Sequence, residues 1–337
     1  MGVRELANLR RFLLRRLITF VPTVIGVTFL VYIIAVQIPA NPARLWAGGE
    51  KADPEVVQRL IEEYHLNDPW YVQYYFFLKK VLSGEAVSPV THTNVWDQIM
   101  EKLLTVTLPL TLFAFLFIIT IGIPLGIIAA IKRDTWIDVV IRAFALIGIS
   151  TPIFWLAYLL IFVLQPRGLI SLTGFPMPDY RITGIPILDA FLKMDIEYIV
   201  LFIKRMWLPA FMLAYGGIGF ITRIVRNSFL DAFSGEYINF MEARGFPRGR
   251  IYIHVLRNAL TPVVTVLGLM FGGLLAGAPI TETVFNLPGL GTYMIRAIHN
   301  FDYIVLIAAV LFIALIYVTI NLIIDILYAI IDPRVRY

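Results

Sequence analysis

The chain has 337 residues, of which 59% are hydrophobic and 15% are charged, and its formal net charge is +5. Soluble globular domains contain about 25% charged residues, so this composition excludes an ordinary water-soluble fold and indicates an integral membrane protein. The basic residues lie at the edges of apolar blocks, which argues against nucleic-acid binding. The sequence has no cysteine, which excludes disulfides and thiol catalysis, and no P-loop motif through which it could bind ATP by itself.

The first predicted membrane span is the apolar run 17–38, which follows a cluster of arginines between positions 10 and 16. A cleaved signal peptide has an apolar region of only about 7–15 residues. This run is instead long enough to cross about 30 Å of hydrocarbon. We therefore predict that residues 1–38 form an N-terminal tail and an uncleaved first transmembrane helix, with the N-terminus in the cytoplasm.

The most polar part of the chain, 39–102, is predicted to be an external helical insertion. Residues 53–55 read Asp-Pro-Glu, the order of an N-cap, a first helical residue and an acid in the first turn. Apolar residues then recur at helical spacing over 56–64, and a second helix is predicted over 70–82. The apolar stripe either packs back on the membrane domain, which is the favoured interpretation, or forms a shelf for an external receptor.

Residues 103–337 are predicted to form a core of five further transmembrane helices. The predicted spans are 103–131, 137–164, 207–221, 260–284 and 303–331. With six spans, the short arginine-rich stretches and both termini lie in the cytoplasm, as the positive-inside rule requires. The predicted fold is thus an all-α, multi-pass protein of the cell membrane. It has six transmembrane helices, the external insertion after the first, and a cytoplasmic helix between the fourth and the fifth.

Two spans carry polar groups that are candidates for a translocation pathway. The third span contains Ser150, Thr151 and Pro152, followed by Trp155. This break is either a proline kink that serves packing or a place where freed backbone groups line a cavity. Glu282 closes the fifth span. We favour its interpretation as an acid hydrated at the outer interface, and a site for substrate charge is the alternative.

Asn321 and Asp325 lie one turn apart in the sixth span, where exposure to lipid would cost a few kcal/mol. We expect both to be structural polar groups that face protein or water and bond to a neighbouring helix. The four histidines are scattered without metal-ligand spacing, so no metal site is predicted. No catalytic constellation is found either, and the chain is not expected to be an enzyme.

The segment 222–260 is the longest polar interruption between the late spans, and it carries six arginines. The positive-inside rule assigns it to the cytoplasm. Its middle, 235–245, is bounded by glycines and alternates apolar with polar residues, as in a short amphipathic helix. Apolar residues at the cytosolic membrane surface require cover, either from lipid headgroups or from the groove of a soluble partner.

This segment resembles the cytoplasmic coupling loop of binding-protein-dependent ABC importer permeases of the peptide/nickel family. The similarity rests on Tyr237 to Gly245 and on His254 to Pro262, which reads H-V-L-R-N-A-L-T-P. Met241 stands where that family usually has a small residue, and Glu242 where it has a basic one. The insertion after the first span is similar to that of the B-type subunit. Two more stretches follow the family pattern, namely 281–291 (T-E-T-V-F-N-L-P-G-L-G) and the terminal 332–334 (D-P-R).

The resemblance implies that the chain forms half of a translocation pathway, together with a homologous second permease subunit or a copy of itself. It also implies two cytoplasmic ATPase subunits, which bind ATP and magnesium, and an external substrate-binding protein. This chain would bind no cofactor. The implied ATPase-coupling residues are Glu236, Tyr237, Ile238, Met241, Glu242, Ala243, Arg244 and Gly245. On this basis Met241→Asp is predicted to uncouple transport from ATP hydrolysis while leaving membrane insertion intact.

The substrate stays open at this point between peptides, oligosaccharides and nickel chelates, because the separate binding protein sets most of the specificity. A stand-alone secondary transporter or channel is the less favoured alternative. It predicts inverted repeats and buried ionisable groups for ion coupling, and no repeat is recognisable in the sequence.

Overall fold

The computed structural model describes residues 18, 21–33 and 41–331, without the side chains of residues 50, 261, 276, 277 and 324–331. Within these residues the secondary structure is helical, apart from an isolated antiparallel bridge between Val87 and Asn94. The chain divides into two compact units, Met1–Val106 with Pro288–Tyr337, and Thr107–Leu287.

The helices up to the end of the second predicted span are α1 (Val21–Ile33), α2 (Pro42–Trp46), α3 (Pro54–Glu63), α4 (Trp70–Leu82), α5 (Val95–Lys102), α6 (Leu108–Phe117) and α7 (Ile123–Ile131). The helices that follow are α8 (Trp136–Ser150), α9 (Ile153–Leu164), α10 (Pro186–Lys193), α11 (Ile196–Phe233), α12 (Glu236–Ala243), α13 (Arg248–Val284), α14 (Leu290–His299) and α15 (Tyr303–Ile331).

Within the polar segment 39–102, the two helices that the sequence predicts are formed as α3 and α4. The Asp53 side chain caps α3 by accepting a hydrogen bond from the Glu55 amide at 2.9 Å, and α4 spans the predicted residues. Helix α4 contacts α15, and the Tyr32 hydroxyl of α1 donates to the Gln73 side chain of α4 at 3.0 Å. The apolar residues of the insertion are thus covered only in part, since Phe77 and Val81 are buried whereas Val56 and Trp70 remain 39% and 53% exposed.

Two π-helical turns lie in the run from α5 to α7, and each ends two residues before a proline. They span Leu103–Thr107, ahead of Pro109, and Ile118–Gly122, ahead of Pro124. A proline lacks the amide hydrogen and its ring clashes with the carbonyl four residues back. A wider π turn relieves that clash without ending the helix. The run therefore stays helical from Val95 to Ile131.

Helix α11 is the centre of the second unit, where it contacts α6, α7, α8, α9, α10 and α13. Glycine allows the closest of these approaches, because a Cβ added to Gly219 would lie 2.4 Å from the Ala145 carbonyl oxygen of α8. The helix is much longer than the predicted span 207–221. Hydropathy marks only the part of a helix that can lie in lipid, whereas the helix itself continues into water through residues with good helix propensity.

Three described helices are long and apolar enough to cross a membrane, namely Val95–Ile131, Ile196–Phe233 and Tyr303–Ile323. Counting each of two bent helix pairs as one span raises this number to five. The predicted first span, 17–38, lies only partly among the described residues, where it forms the apolar helix Val21–Ile33. The predicted terminal motif 332–334 lies outside the described residues.

Candidate functional site

Helix α12 lies at the predicted coupling segment, and its ends are set by the residues that bound it. Gly235 is its N-cap, and Gly245 follows it with φ +72°. The Gly245 amide donates to the Glu242 carbonyl at 2.9 Å and the Phe246 amide to the Met241 carbonyl at 3.1 Å. This pair of bonds is the Schellman arrangement, which favours glycine at the left-handed position. The chain thus leaves α12 in a fixed direction.

One face of α12 is buried in the chain's own second unit. Ile238 and Met241 are 6% and 8% exposed. They belong to an apolar cluster, called here the inner cluster, whose other buried members are Ala130, Phe229, Ile251, Val255 and Ala259. The expectation that the apolar residues of this helix need lipid or a partner is therefore wrong for Ile238 and Met241, since α7, α11 and α13 cover them.

The buried position of Met241 also corrects the predicted effect of Met241→Asp. An aspartate there would place a charge inside the inner cluster, which costs several kcal/mol. The substitution is expected to disrupt the fold of α12, so it cannot separate coupling from structure. Periodicity identified the amphipathic helix but could not tell which neighbour its apolar face meets.

The opposite face of α12 is exposed and carries an aromatic residue that the sequence did not single out. Phe240 is 57% exposed, and the Arg244 guanidinium carbon lies 4.3 Å from the centre of its ring. Such a cation–π contact holds both side chains in one orientation. Glu236, Glu242 and Ala243 are also exposed. Tyr237 is half-buried and donates its hydroxyl to the Ala232 carbonyl at 2.8 Å. We call Phe240, Ala243 and Arg244 the outer face of α12.

A charged cluster that the sequence reading missed ties α8 to α11. Arg226 donates twice to Asp138, from Nε to Oδ1 and from Nη2 to Oδ2, both at 2.8 Å. Asp138 is fully buried and also accepts the Asp134 amide at 3.2 Å. Arg142, one turn along α8, lies 3.3 Å from the same carboxylate. The spacing of Asp138 and Arg142 was a usable sequence signal, but the partner on α11 is 88 residues away.

The predicted pathway residues of the third span lie at a sharp bend. Helices Trp136–Ser150 and Ile153–Arg167 meet at 105°. Thr151 has an extended backbone, and Pro152 is the N-cap of α9. Ser150 and Trp155 are exposed, and Thr151 is partly exposed. The predicted third span is thus two helices that change direction at this motif.

Glu282 is not at a hydrated interface, contrary to the favoured interpretation of the sequence. Its side chain is fully buried, and its carboxylate accepts a hydrogen bond from the Thr107 hydroxyl at 2.6 Å. A buried carboxylate requires such polar partners, because transfer of an unpaired charge out of water is very costly. The alternative interpretation, a site for substrate charge, stays a hypothesis.

Of the two polar residues in the predicted sixth span, the structure describes the side chain of Asn321 only. Asn321 is partly buried, and its side-chain oxygen has no hydrogen-bond partner among the described residues. The predicted bond to a neighbouring helix is thus not formed by that oxygen within the described chain. The side chain of Asp325 lies outside the described residues. No cluster of histidine, aspartate and glutamate suited to a metal ion occurs in the part of the chain that the structure describes.

Two polar anchors, one in the loop between α9 and α11 and one on α11 itself, were also missed by sequence reasoning. Asp189 is 1% exposed, and its carboxylate accepts the amides of Ile182, Thr183 and Gly184 and the Thr183 hydroxyl. Burial alone would raise the pKa of Asp189, but these hydrogen bonds outweigh it and hold the pKa below its usual value. Arg205 is the second anchor, and its guanidinium donates to four backbone carbonyls.

Comparison with known proteins gives consistent matches along the chain. Residues 122–337 match the family "Binding-protein-dependent transport system inner membrane component", and residues 9–111 match the corresponding N-terminal family. The chain is 38% identical over 332 residues to the dipeptide transport system permease protein DppB of Alkalihalophilus pseudofirmus, covering 97% of this chain and 99% of the relative. It is 35% identical to DppB of Escherichia coli K12 over 336 residues, covering 97% and 99%.

A third relative is the di/tripeptide transport system permease protein DppB of Pseudomonas aeruginosa, which is 34% identical over 336 residues, covering 97% of this chain and 98% of the relative. The family matches cover most of the chain, and these relatives align with it almost from end to end. The chain is therefore a member of the family of binding-protein-dependent transport system inner membrane components.

Proposed function

We propose that this chain is the permease subunit of an ATP-driven ABC importer of short peptides. The single observation that carries the proposal is the near full-length similarity to permeases named for dipeptide and di/tripeptide transport. Because the similarity includes the external insertion and the coupling segment, it extends beyond a shared membrane fold. The family name itself supports an external binding protein as the partner that delivers the substrate.

The assembly that we propose has two permease subunits, this chain with a homologue or a copy of itself. Two cytoplasmic ATPase subunits bind ATP and magnesium, and an external binding protein supplies the peptide. The chain lies in the cell membrane with both termini in the cytoplasm, and it binds no cofactor itself. Each permease contributes half of the translocation pathway. The polar residues at the α8–α9 bend and the buried Glu282 are candidate contributors to that pathway.

The outer face of α12 is the proposed contact with an ATPase subunit. An exposed aromatic ring that is already held by an arginine loses little side-chain entropy when a groove closes over it, and such residues are common binding hot spots. The small side chain of Ala243 beside it lets a partner approach the helix closely. Phe240 and Arg244 thus have the shape and charge that a docking contact requires.

The inner cluster explains how a movement of α12 can reach the membrane. Its buried residues come from α7, α11, α12 and α13, so the short helix is packed against the ends of three longer ones. When ATP binding closes the ATPase pair, the groove that holds α12 moves and these helix ends move with it. The pathway then changes from inward-open to outward-open. Packed cores transmit such displacements because they have few voids to absorb them.

The test is ATP-driven dipeptide uptake by proteoliposomes that contain the complete complex. Phe240→Glu is expected to lower uptake at least about tenfold and to weaken the retention of the ATPase subunits, because a carboxylate replaces the docking ring. Phe191→Glu is a matched control, since Phe191 is exposed to a similar degree (59%) but lies on α10 in the external loop. It is expected to leave ATPase retention unchanged.

The same assay separates the alternatives. Competition of dipeptide uptake by oligosaccharides or nickel chelates, but not by peptides, would overturn the peptide assignment. Uptake by the isolated chain without ATPase subunits would support a stand-alone transporter. Full ATP-driven uptake by a correctly folded Phe240→Glu complex would refute the docking role of the outer face while leaving the importer assignment standing.

A further inference from the structure

The external loop of the second unit forms a cavity that none of the proposed roles uses. Its volume is about 550 Å³, and it lies between residues 168–176 and the N-terminal part of α11. Leu169, Phe175 and Pro176 are among its mainly apolar lining residues. Helix α11 contributes Leu201 and two consecutive basic residues, Lys204 and Arg205, to the lining. It is thus an apolar cavity with a positively charged side.

The positive charge at this cavity is not neutralised by a nearby acid. Arg205 is 7% exposed. Its guanidinium donates to the carbonyls of Ser171, Leu172, Phe285 and Asn286. Carbonyl dipoles stabilise a guanidinium but leave its net charge in place. Neither Lys204 nor Arg205 forms an ion pair with a carboxylate in the described chain, and no acidic residue is among those lining the cavity. The cavity therefore attracts an anion.

The position of Arg205 along α11 places the cavity near one surface of the membrane. Arg205 and Arg226 are 21 residues apart in this helix, which corresponds to about 32 Å of helix length. The hydrocarbon core of a bilayer is about 30 Å thick. With Arg226 on the predicted cytoplasmic side, Arg205 and the cavity lie at the level of the external headgroups.

We propose that this cavity binds the headgroup of an anionic phospholipid from the outer leaflet. The exposed Lys204 contacts the phosphate, and the buried Arg205 adds its positive charge. The apolar wall contacts the first part of an acyl chain. Leu169 and Leu201 are 61% and 52% exposed, so the apolar wall is accessible. A lipid has both a charged headgroup and an apolar chain, so it matches the basic side and the apolar side of this cavity better than a purely charged or a purely apolar ligand would.

Two other anions fit the cavity less well. A short peptide is a zwitterion, and its ammonium group would need an acidic partner that the described lining does not contain. Free phosphate would satisfy the cations, but it would gain nothing from the apolar wall and would be readily hydrated in bulk water. The observations therefore favour an anion with an apolar tail.

The test is native mass spectrometry of the purified full-length chain titrated with phosphatidylglycerol or with phosphatidylcholine. We expect tighter binding of phosphatidylglycerol, and Lys204→Gln is expected to weaken it about fivefold, the effect of one basic residue near a charged lipid surface. Leu201→Glu, which adds a repelling charge at an exposed position, is expected to weaken it further. Lys193→Gln is the matched control, because Lys193 is an exposed lysine of the same loop that does not line the cavity.

The outcomes divide clearly. Selective loss of phosphatidylglycerol in Lys204→Gln and Leu201→Glu, with normal binding by Lys193→Gln, supports the proposal. Equal loss in both lysine variants, or equal affinity for the two lipids, overturns it. Displacement of the lipid by millimolar dipeptide would reassign the cavity to substrate, and displacement by inorganic phosphate would reassign it to a soluble anion. Because no ATPase subunit takes part, failure here leaves the importer proposal untouched.

Discussion

Helices α10 and α12 are both short amphipathic helices that precede a long helix of the second unit, but they are held in different ways. Helix α12 is fixed by apolar packing of Ile238 and Met241 in the inner cluster. The loop that carries α10 is fixed by polar contacts, in which Asp189 binds three amides and a hydroxyl of the preceding turn. Apolar packing from several helices suits the movement with its neighbours that is proposed for α12. Local hydrogen bonds suit a loop that keeps its own shape.

The largest expected effect comes from placing a charge in the inner cluster. Met241→Asp removes a buried apolar side chain and buries a carboxylate, so it is expected to destabilise the protein by about 4 kcal/mol. Thermal unfolding of the purified chain in detergent measures this loss. Met241→Leu keeps the volume and should cost less than about 1.5 kcal/mol. An unchanged melting temperature for Met241→Asp would show that α12 is not held by this packing.

The second prediction tests whether the packing of α8 on α11 also depends on a polar contact. Asp138→Ala leaves the Arg226 guanidinium without its carboxylate in a largely buried position, and it is expected to cost about 3 kcal/mol. Arg142→Gln is the control, because Arg142 is about half exposed and its ion pair should contribute less than about 1 kcal/mol. Similar melting temperatures for the two variants would mean that the bidentate pair adds no more than a surface pair.

The third prediction concerns the loop around Asp189 and its dependence on pH. Asp189→Asn replaces an acceptor of several hydrogen bonds by a group that also donates, at an expected cost of about 1–3 kcal/mol. The effect should be local, and hydrogen exchange of residues 181–190 measures it. Unchanged exchange in this variant, despite the loss of the carboxylate, would show that Asp189 does not hold the loop.

The lowered pKa of Asp189 fixes the direction of the pH effect. The carboxylate binds a proton less readily in the folded loop, so its stabilisation is present above the unfolded pKa of about 3.9 and is lost as the pH falls through the folded value. Protection of this loop should therefore be constant from about pH 8 to pH 5 and decrease only in stronger acid. Asp189→Asn should remove that dependence.

The smallest effects are expected at the exposed aromatic residues of the two helices. Phe240→Ala and Phe191→Ala should each change the free energy of unfolding by less than about 0.5 kcal/mol, because both rings are largely exposed. Their difference lies in function, since only Phe240 is proposed to contact an ATPase subunit. A large loss of stability in Phe240→Ala would indicate that its ring supports the fold through Arg244.

The sequence by itself determined the class of fold, the helices α3 and α4, the helix boundaries around Asp53 and Gly245, and the family. These features depend on composition, local capping and motifs, which can be recognised from residues that are close together in the sequence. Tertiary structure alone decided the surroundings of each side chain: Met241 packed inward, Phe240 outward, Glu282 buried with Thr107, and Asp138 bonded to Arg226. Periodicity reveals that a helix has two faces, but burial depends on which distant helix covers each face, and that information lies far away along the chain.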